Sequence, residues 1–180
     1  MEISQVLGGS LNTYIVMIAG MVIMHRNEGV SVMTFDYDLD FENINFREKP
    51  ELYRVGRGEQ GVLLVEPYKS EILPHWRFKT PEIAKESSEK IYGMYLDYKE
   101  NNDFIGMDMA RKFLQMGYTR ARRYANYKGG RKYDKDGNIN ERDIDYEKAE
   151  SAAIFEVKWK LVREDADYLK LKKAHQKKYG

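Results

Sequence analysis

The chain has 180 residues, 42% of them apolar and 33% charged, with a formal net charge of +1. That is the length of one domain, with enough apolar surface for a core and, at 13% aromatic residues, too much for a disordered chain. The absence of cysteine excludes disulfides, thiolate metal sites and cysteine nucleophiles; it suits a reducing compartment, so a cytoplasmic location is expected.

The near-zero net charge conceals segregation. Residues 34–51 hold six acids and two bases, residues 104–132 eight bases and one acid, and residues 134–150 seven acids and three bases. The distribution says more about partners than the total does.

Ile3 to Met24 carries no charge, and Tyr14 to Met24 is an apolar run of 11 residues. A spanning helix needs about 20, so membrane insertion is not expected. Glu2 with no basic residue before the run makes a poor signal peptide. Residues 1–32 therefore read as an N-terminal extension: either a loosely packed apolar tail or sequence upstream of a start at Met33, where the composition turns acidic and aromatic.

From Met33 to Gly180 the pattern predicts a single α+β domain. Phe35, Tyr37, Leu39 and Phe41 alternate, which predicts an extended segment. Leu52–Val55 and Val62–Tyr68 read as the strands of an antiparallel hairpin, joined by the glycine-rich loop Gly56–Gly61. Leu73–Phe78 reads as another short extended piece. Three main helices follow. Thr80-Pro81-Glu82 is a helix start, with Thr as cap and Pro at the first position. Asp103 caps a second helix over residues 104–124, with Met109, Ala110, Phe113, Leu114, Gly117, Ala121 and Tyr124 inward. Asp134–Asn138 is a turn; as a calcium loop it would lack the initial Asp and the final Glu. Asp143 or Asp145 starts one long helix to about Lys178, with Ile154, Val157, Leu161, Tyr168 and Leu171 on its apolar face, widened by Phe155, Val162 and Leu169.

Three stretches carry a resemblance: Tyr53-Arg54-Val55-Gly56-Arg57-Gly58-Glu59-Gln60-Gly61-Val62-Leu63-Leu64-Val65-Glu66-Pro67-Tyr68-Lys69, Leu73-Pro74-His75-Trp76-Arg77-Phe78, and Ala110 to Tyr124. Together they resemble an uncharacterised family, a domain of unknown function met in bacteria, their phages and some fungi. The resemblance runs from about Phe35 to the C-terminus. It implies one intracellular domain and carries no catalytic residues with it.

The strongest functional signal is the basic helix. Arg111, Lys112, Arg120, Arg122, Arg123, Lys128, Arg131 and Lys132 are interleaved with Tyr118, Tyr124, Tyr127 and Tyr133. Cations neutralise phosphates and aromatic faces stack on unpaired bases, so DNA or RNA is the expected partner. The competing reading is a solvated face that pairs with the acidic segments; a related one is an interaction module for an acidic protein. Arg54, Arg57 and Gly58 form a candidate anion site on the glycine loop, which lacks both the P-loop and the dinucleotide patterns. A third reading is an enzyme acting on an anionic or phosphate-bearing substrate, with Glu59, Glu66 and His75 as candidate catalytic groups beside Arg57. No cofactor and no metal is expected.

Overall fold

The computed structural model describes two strands, at residues 13–18 and 21–26, and all of residues 35–180. The chain divides into two units, Met1–Val32 and Met33–Gly180. In the first, β1 (Thr13–Ile18) and β2 (Met21–Arg26) pair antiparallel, Thr13 opposite Arg26 and Ile18 opposite Met21. The tail and start-site readings of residues 1–32 otherwise lie outside the described residues.

The second unit is helical, and this corrects the expected α+β architecture. Among its described residues the β pairing is limited to one isolated bridge between Tyr133 and Ile139. Its helices are α1 (Tyr68–Ile72), α2 (Pro81–Glu100), α3 (Phe104–Asn126), α4 (Tyr146–Glu164) and α5 (Ala166–Tyr179).

The expected hairpin over residues 52–68 is a series of turns leading into α1. The amides of Gln60, Val62 and Leu64 bond the carbonyls of Arg57, Glu59 and Gly61, each three residues back. The buried residues are accordingly Val62, Val65 and Tyr68, spaced by three, while Leu63 between them is 45% exposed. A short continuous apolar run does not distinguish period two from period three, and here the turn period holds. Gly61, at φ +78°, sits flat against the Phe35 ring, where a Cβ would overlap it. The expected extended segment at 35–41 is likewise irregular. Phe35, Phe41 and Phe46 stack in sequence at 5.6 and 5.7 Å, while Tyr37 points to solvent.

The helix starts are where the capping residues put them. Thr80 Oγ1 accepts from the Ile83 amide at 3.3 Å, and Asp103 Oδ1 from Gly106 at 3.0 Å. Every residue from Phe104 to Leu114 is buried, so α3 is the central rod, flanked by α2 and α4. The expected long last helix is two. Asp165 is extended (ψ 122°), caps α5 by accepting from the amides of Asp167 and Tyr168, and pairs with Lys99 of α2 at 2.6 Å. The buried side of α4 is Ser151, Ala152, Phe155 and Val162; Val157 and Leu161, expected inward, are more than half exposed. No helix among the described residues is long and apolar enough to cross a membrane.

Gly117 of α3 lies directly under the Phe155 ring, leaving no room for a methyl group. Gly117→Ala is expected to cost about 1–3 kcal/mol by overpacking. Gly93 of α2 has nothing within 4 Å of its Cβ position, so Gly93→Ala is expected to raise stability by about 0.5–1 kcal/mol through helix propensity. Urea melts of the two variants, moving in opposite directions from the parent, check this packing.

Candidate nucleic-acid interface

The first two cations of the expected basic ladder are not on the surface. Arg111 is 7% exposed and Lys112 fully buried. Both serve Asp108, one turn earlier on α3 and also fully buried. Asp108 accepts from Arg111 Nε at 2.8 Å, from Tyr168 Oη at 2.7 Å and from Tyr53 Oη, with Lys112 Nζ 3.5 Å away. Lys112 also donates to Tyr53 Oη at 3.0 Å and to the Gln60 carbonyl at 2.7 Å. The remaining Arg111 bonds go to Gln115 and the Gly58 carbonyl. These two residues thus hold the core together and are corrected out of the nucleic-acid face.

The cluster shifts its members' proton affinities. Burial opposes the Asp108 charge, but Arg111 and Lys112 outweigh it and hold the carboxyl well below its usual range. Burial, aided by the neighbouring Arg111 charge, lowers Lys112 to about 8, against the pull of Asp108. An unfolded lysine titrates near 10.4, so between about pH 8 and 10 the unfolded chain binds more protons at this position than the folded one. Stability is therefore expected to rise from pH 7 toward pH 10 on account of Lys112, and Lys112→Met should flatten that rise in denaturant melts across the range. Asp108→Asn, which leaves two buried cations unpaired, is expected to cost about 3–5 kcal/mol.

The rest of the ladder is exposed. Taking about 100° per residue, Arg122, Arg123 and Arg120 sweep roughly 160° of α3, while Ala121 and Ala125 fill the buried side. Lys128, Arg131 and Lys132 continue past the helix end. The acidic segment returns beside this end: the amides of Asp143 and Asp145 bond the carbonyls of Asn126 and Ala125. Yet none of the six exposed bases makes an ion pair with a carboxylate among the described residues. Arg123, in the last turn of α3, also favours the helix itself, through the dipole.

Tyr124, expected inward, is 39% exposed, while Tyr127 is buried. The Tyr124 ring borders a cleft of about 770 Å³ with Trp76 and Phe78, whose rings lie 5.1 Å apart; Phe78 is 5.8 Å from Tyr124. Arg77, Lys79 and Lys148 complete the rim, and no carboxylate lines the cleft. The segment is held rigidly. Trp76 Nε1 donates to the Phe113 carbonyl at 3.1 Å, and Ser87 Oγ of α2 accepts from the Arg77 amide and donates to the His75 carbonyl. The sequence points to His75 in this segment as a catalytic candidate, whereas the structure places the neighbouring Trp76, Arg77, Phe78 and Lys79 on the cleft. The signal was the alternation Trp76-Arg77-Phe78-Lys79, aromatic with cation.

The candidate catalytic set is not assembled. Glu59 accepts from Thr119 Oγ1 at 2.5 Å, Glu66 bonds Ser70 and Lys69, and His75 is exposed without a side-chain partner among the described residues. Glu66 is held below its usual carboxylate range, burial being outweighed by Lys69 and Ser70. None of the three lines any of the four clefts described for residues 46–179. Of the candidate anion loop, Arg54 bonds the carbonyls of Glu51 and Tyr53, whereas Arg57 and Gly58 border a separate cleft with Arg111. A further cleft, of about 820 Å³, is bordered by groups already paired: Arg47 with Glu71 and Asp103, Tyr68 with Asp103, and Tyr98 with Glu71.

A family model described as a domain of unknown function (DUF4385) matches residues 36–178. No curated protein and no solved structure matches the chain.

Proposed function

We propose a role for a chain that belongs to this family of unknown function, DUF4385: the helical domain binds single-stranded nucleic acid at the C-terminal end of α3. The observation that carries the reading is the aromatic cleft of Trp76, Phe78 and Tyr124, rimmed by Arg77, Lys79 and Lys148, with exposed Arg120 and Arg123 flanking Tyr124 on α3 at four residues and one residue away. Three aromatic rings, tilted about 59° to one another, with a cationic rim suit an unpaired base and its phosphates, and a base in a duplex does not reach such a cleft. The interface thus comprises residues 76–79 and 120–132 rather than the whole of the expected basic stretch. A cytoplasmic location fits a nucleic-acid partner and accompanies this reading.

Fluorescence anisotropy with a labelled single-stranded oligonucleotide tests it. Affinity is expected to fall steeply with salt, and Arg120→Gln/Arg122→Gln/Arg123→Gln should reduce the slope of log K against log salt by about 2, at roughly 0.7 for each phosphate no longer neutralised. Phe78→Leu and Tyr124→Leu should each weaken single-strand binding by about 1–3 kcal/mol and leave duplex binding nearly unchanged. Salt-independent binding, or equal losses on both substrates, counts against the reading.

A further inference from the structure

A second cleft, of about 390 Å³, lies where the glycine loop meets the middle of α3, the end of α4 and α5. Gln115 to Tyr124 is nine residues, roughly two and a half turns, so this cleft opens on the side of α3 opposite the aromatic one. Its cationic lining comes from four elements: Arg57 from the loop, Arg111 from α3, Arg163 from α4 and Lys172 from α5. Gln115 and Gln176 add amide donors, Trp159 forms a wall, and no carboxylate lines it.

Arg111 makes this a built site rather than a scatter of surface bases. Its guanidinium is almost wholly buried and fixed by Asp108, Gln115 and the Gly58 carbonyl, which use three of its five N–H donors. Two donors remain for a ligand at a position the fold has already oriented. Gly58 adopts φ +56°, its carbonyl is turned onto Arg111, and its amide has no acceptor among the described residues. The Arg57 amide is donated to Gln60 Oε1 at 2.7 Å, so the Gly58 amide is a single free donor beside the guanidinium of Arg111.

The charge balance selects the ligand. Of the cations that line the cleft, Arg111 is ion-paired with Asp108, which it shares with the buried Lys112 behind it, and Arg163 with Glu164 at 2.7 Å. Arg57 and Lys172 remain, two positive charges in a cleft of small-molecule size. A phosphate monoester carries about −1.5 to −2 charges near neutral pH and three acceptor oxygens, whereas a carboxylate or a backbone phosphodiester carries one charge. We infer that the cleft between the Gly56–Gly58 loop, Arg111 and Lys172 binds a phosphate monoester, independently of the nucleic-acid face on the opposite side of α3.

The test uses the full chain, with inorganic phosphate and phenyl phosphate as probes at constant ionic strength, read by melting temperature and titration calorimetry. Both probes are expected to bind saturably and to raise the melting temperature above that in chloride. Arg57→Gln/Lys172→Gln should weaken binding at least tenfold, and Gln176→Glu, at an exposed rim position, should do the same by repulsion. Arg120→Gln/Arg123→Gln should leave phosphate binding unchanged, and the two cleft variants should leave oligonucleotide binding unchanged. The inference is overturned by equal melting temperatures in phosphate and chloride, by binding that survives both cleft variants, or by displacement of phosphate by an oligonucleotide lacking a terminal phosphate. Loss of oligonucleotide binding alone would touch the α3-end reading and not this one.

Discussion

A fully buried carboxylate, Asp108, sets the terms for the rest of the domain. An ion of that kind persists away from water only when several donors surround it. Here they come from three separated parts of the chain: Tyr53 before the glycine loop, Arg111 and Lys112 on the same helix, and Tyr168 on α5. Lys112 and Arg111 extend the network to the carbonyls of Gln60 and Gly58. The loop's shape is therefore fixed by charge, and apolar packing of Val62, Val65 and Tyr68 completes it. Replacing one partner leaves the others charged in a low-dielectric interior, so the group behaves as a unit.

What the sequence made legible follows from how local each signal is. The starts of α2 and α3 were readable because a cap is a one-turn phenomenon: Thr80-Pro81 and Asp103 carry their own instructions. The hairpin failed because Val62-Leu63-Leu64-Val65 is apolar throughout and fits either period; three glycines, compatible with a strand turn, are equally compatible with consecutive turns. The break at Asp165 was hidden by strong helix formers on both sides. The break carries a local cap, Asp165 accepting from the amides of Asp167 and Tyr168, together with an ion pair to Lys99 of another helix. On α4, Phe155 and Val162 face the core as expected, but Ser151 and Ala152 take the places expected of the larger Val157 and Leu161.

For the candidate site the same division holds. Counting charges along residues 104–132 found the exposed arginines but counted Arg111 and Lys112 with them, since i, i+3 and i, i+4 partners of a lone acid look like any other bases. The one acid in that stretch, Asp108, was itself the clue. An isolated carboxylate among apolar residues at helical spacing draws its neighbouring cations inward. The aromatic cleft needed tertiary structure, because Tyr124 and Phe78 are 46 positions apart and the bond that fixes Trp76 ends on Phe113.

The partners of Asp108 also order the events by which the chain folds. Tyr53 is 55 residues before it and Tyr168 is 60 after it, with the Lys112–Gln60 bond spanning 52. Until both distant tyrosines arrive, the carboxylate keeps its water, and the side of α3 that bears it stays hydrated. Closing two loops of that length is entropically slow compared with forming α2 or α3 locally. The helical hairpin of α2 and α3 can therefore form early, with the glycine loop and α5 joining it last and together. The rate of that final closure is set by chain topology rather than by helix propensity.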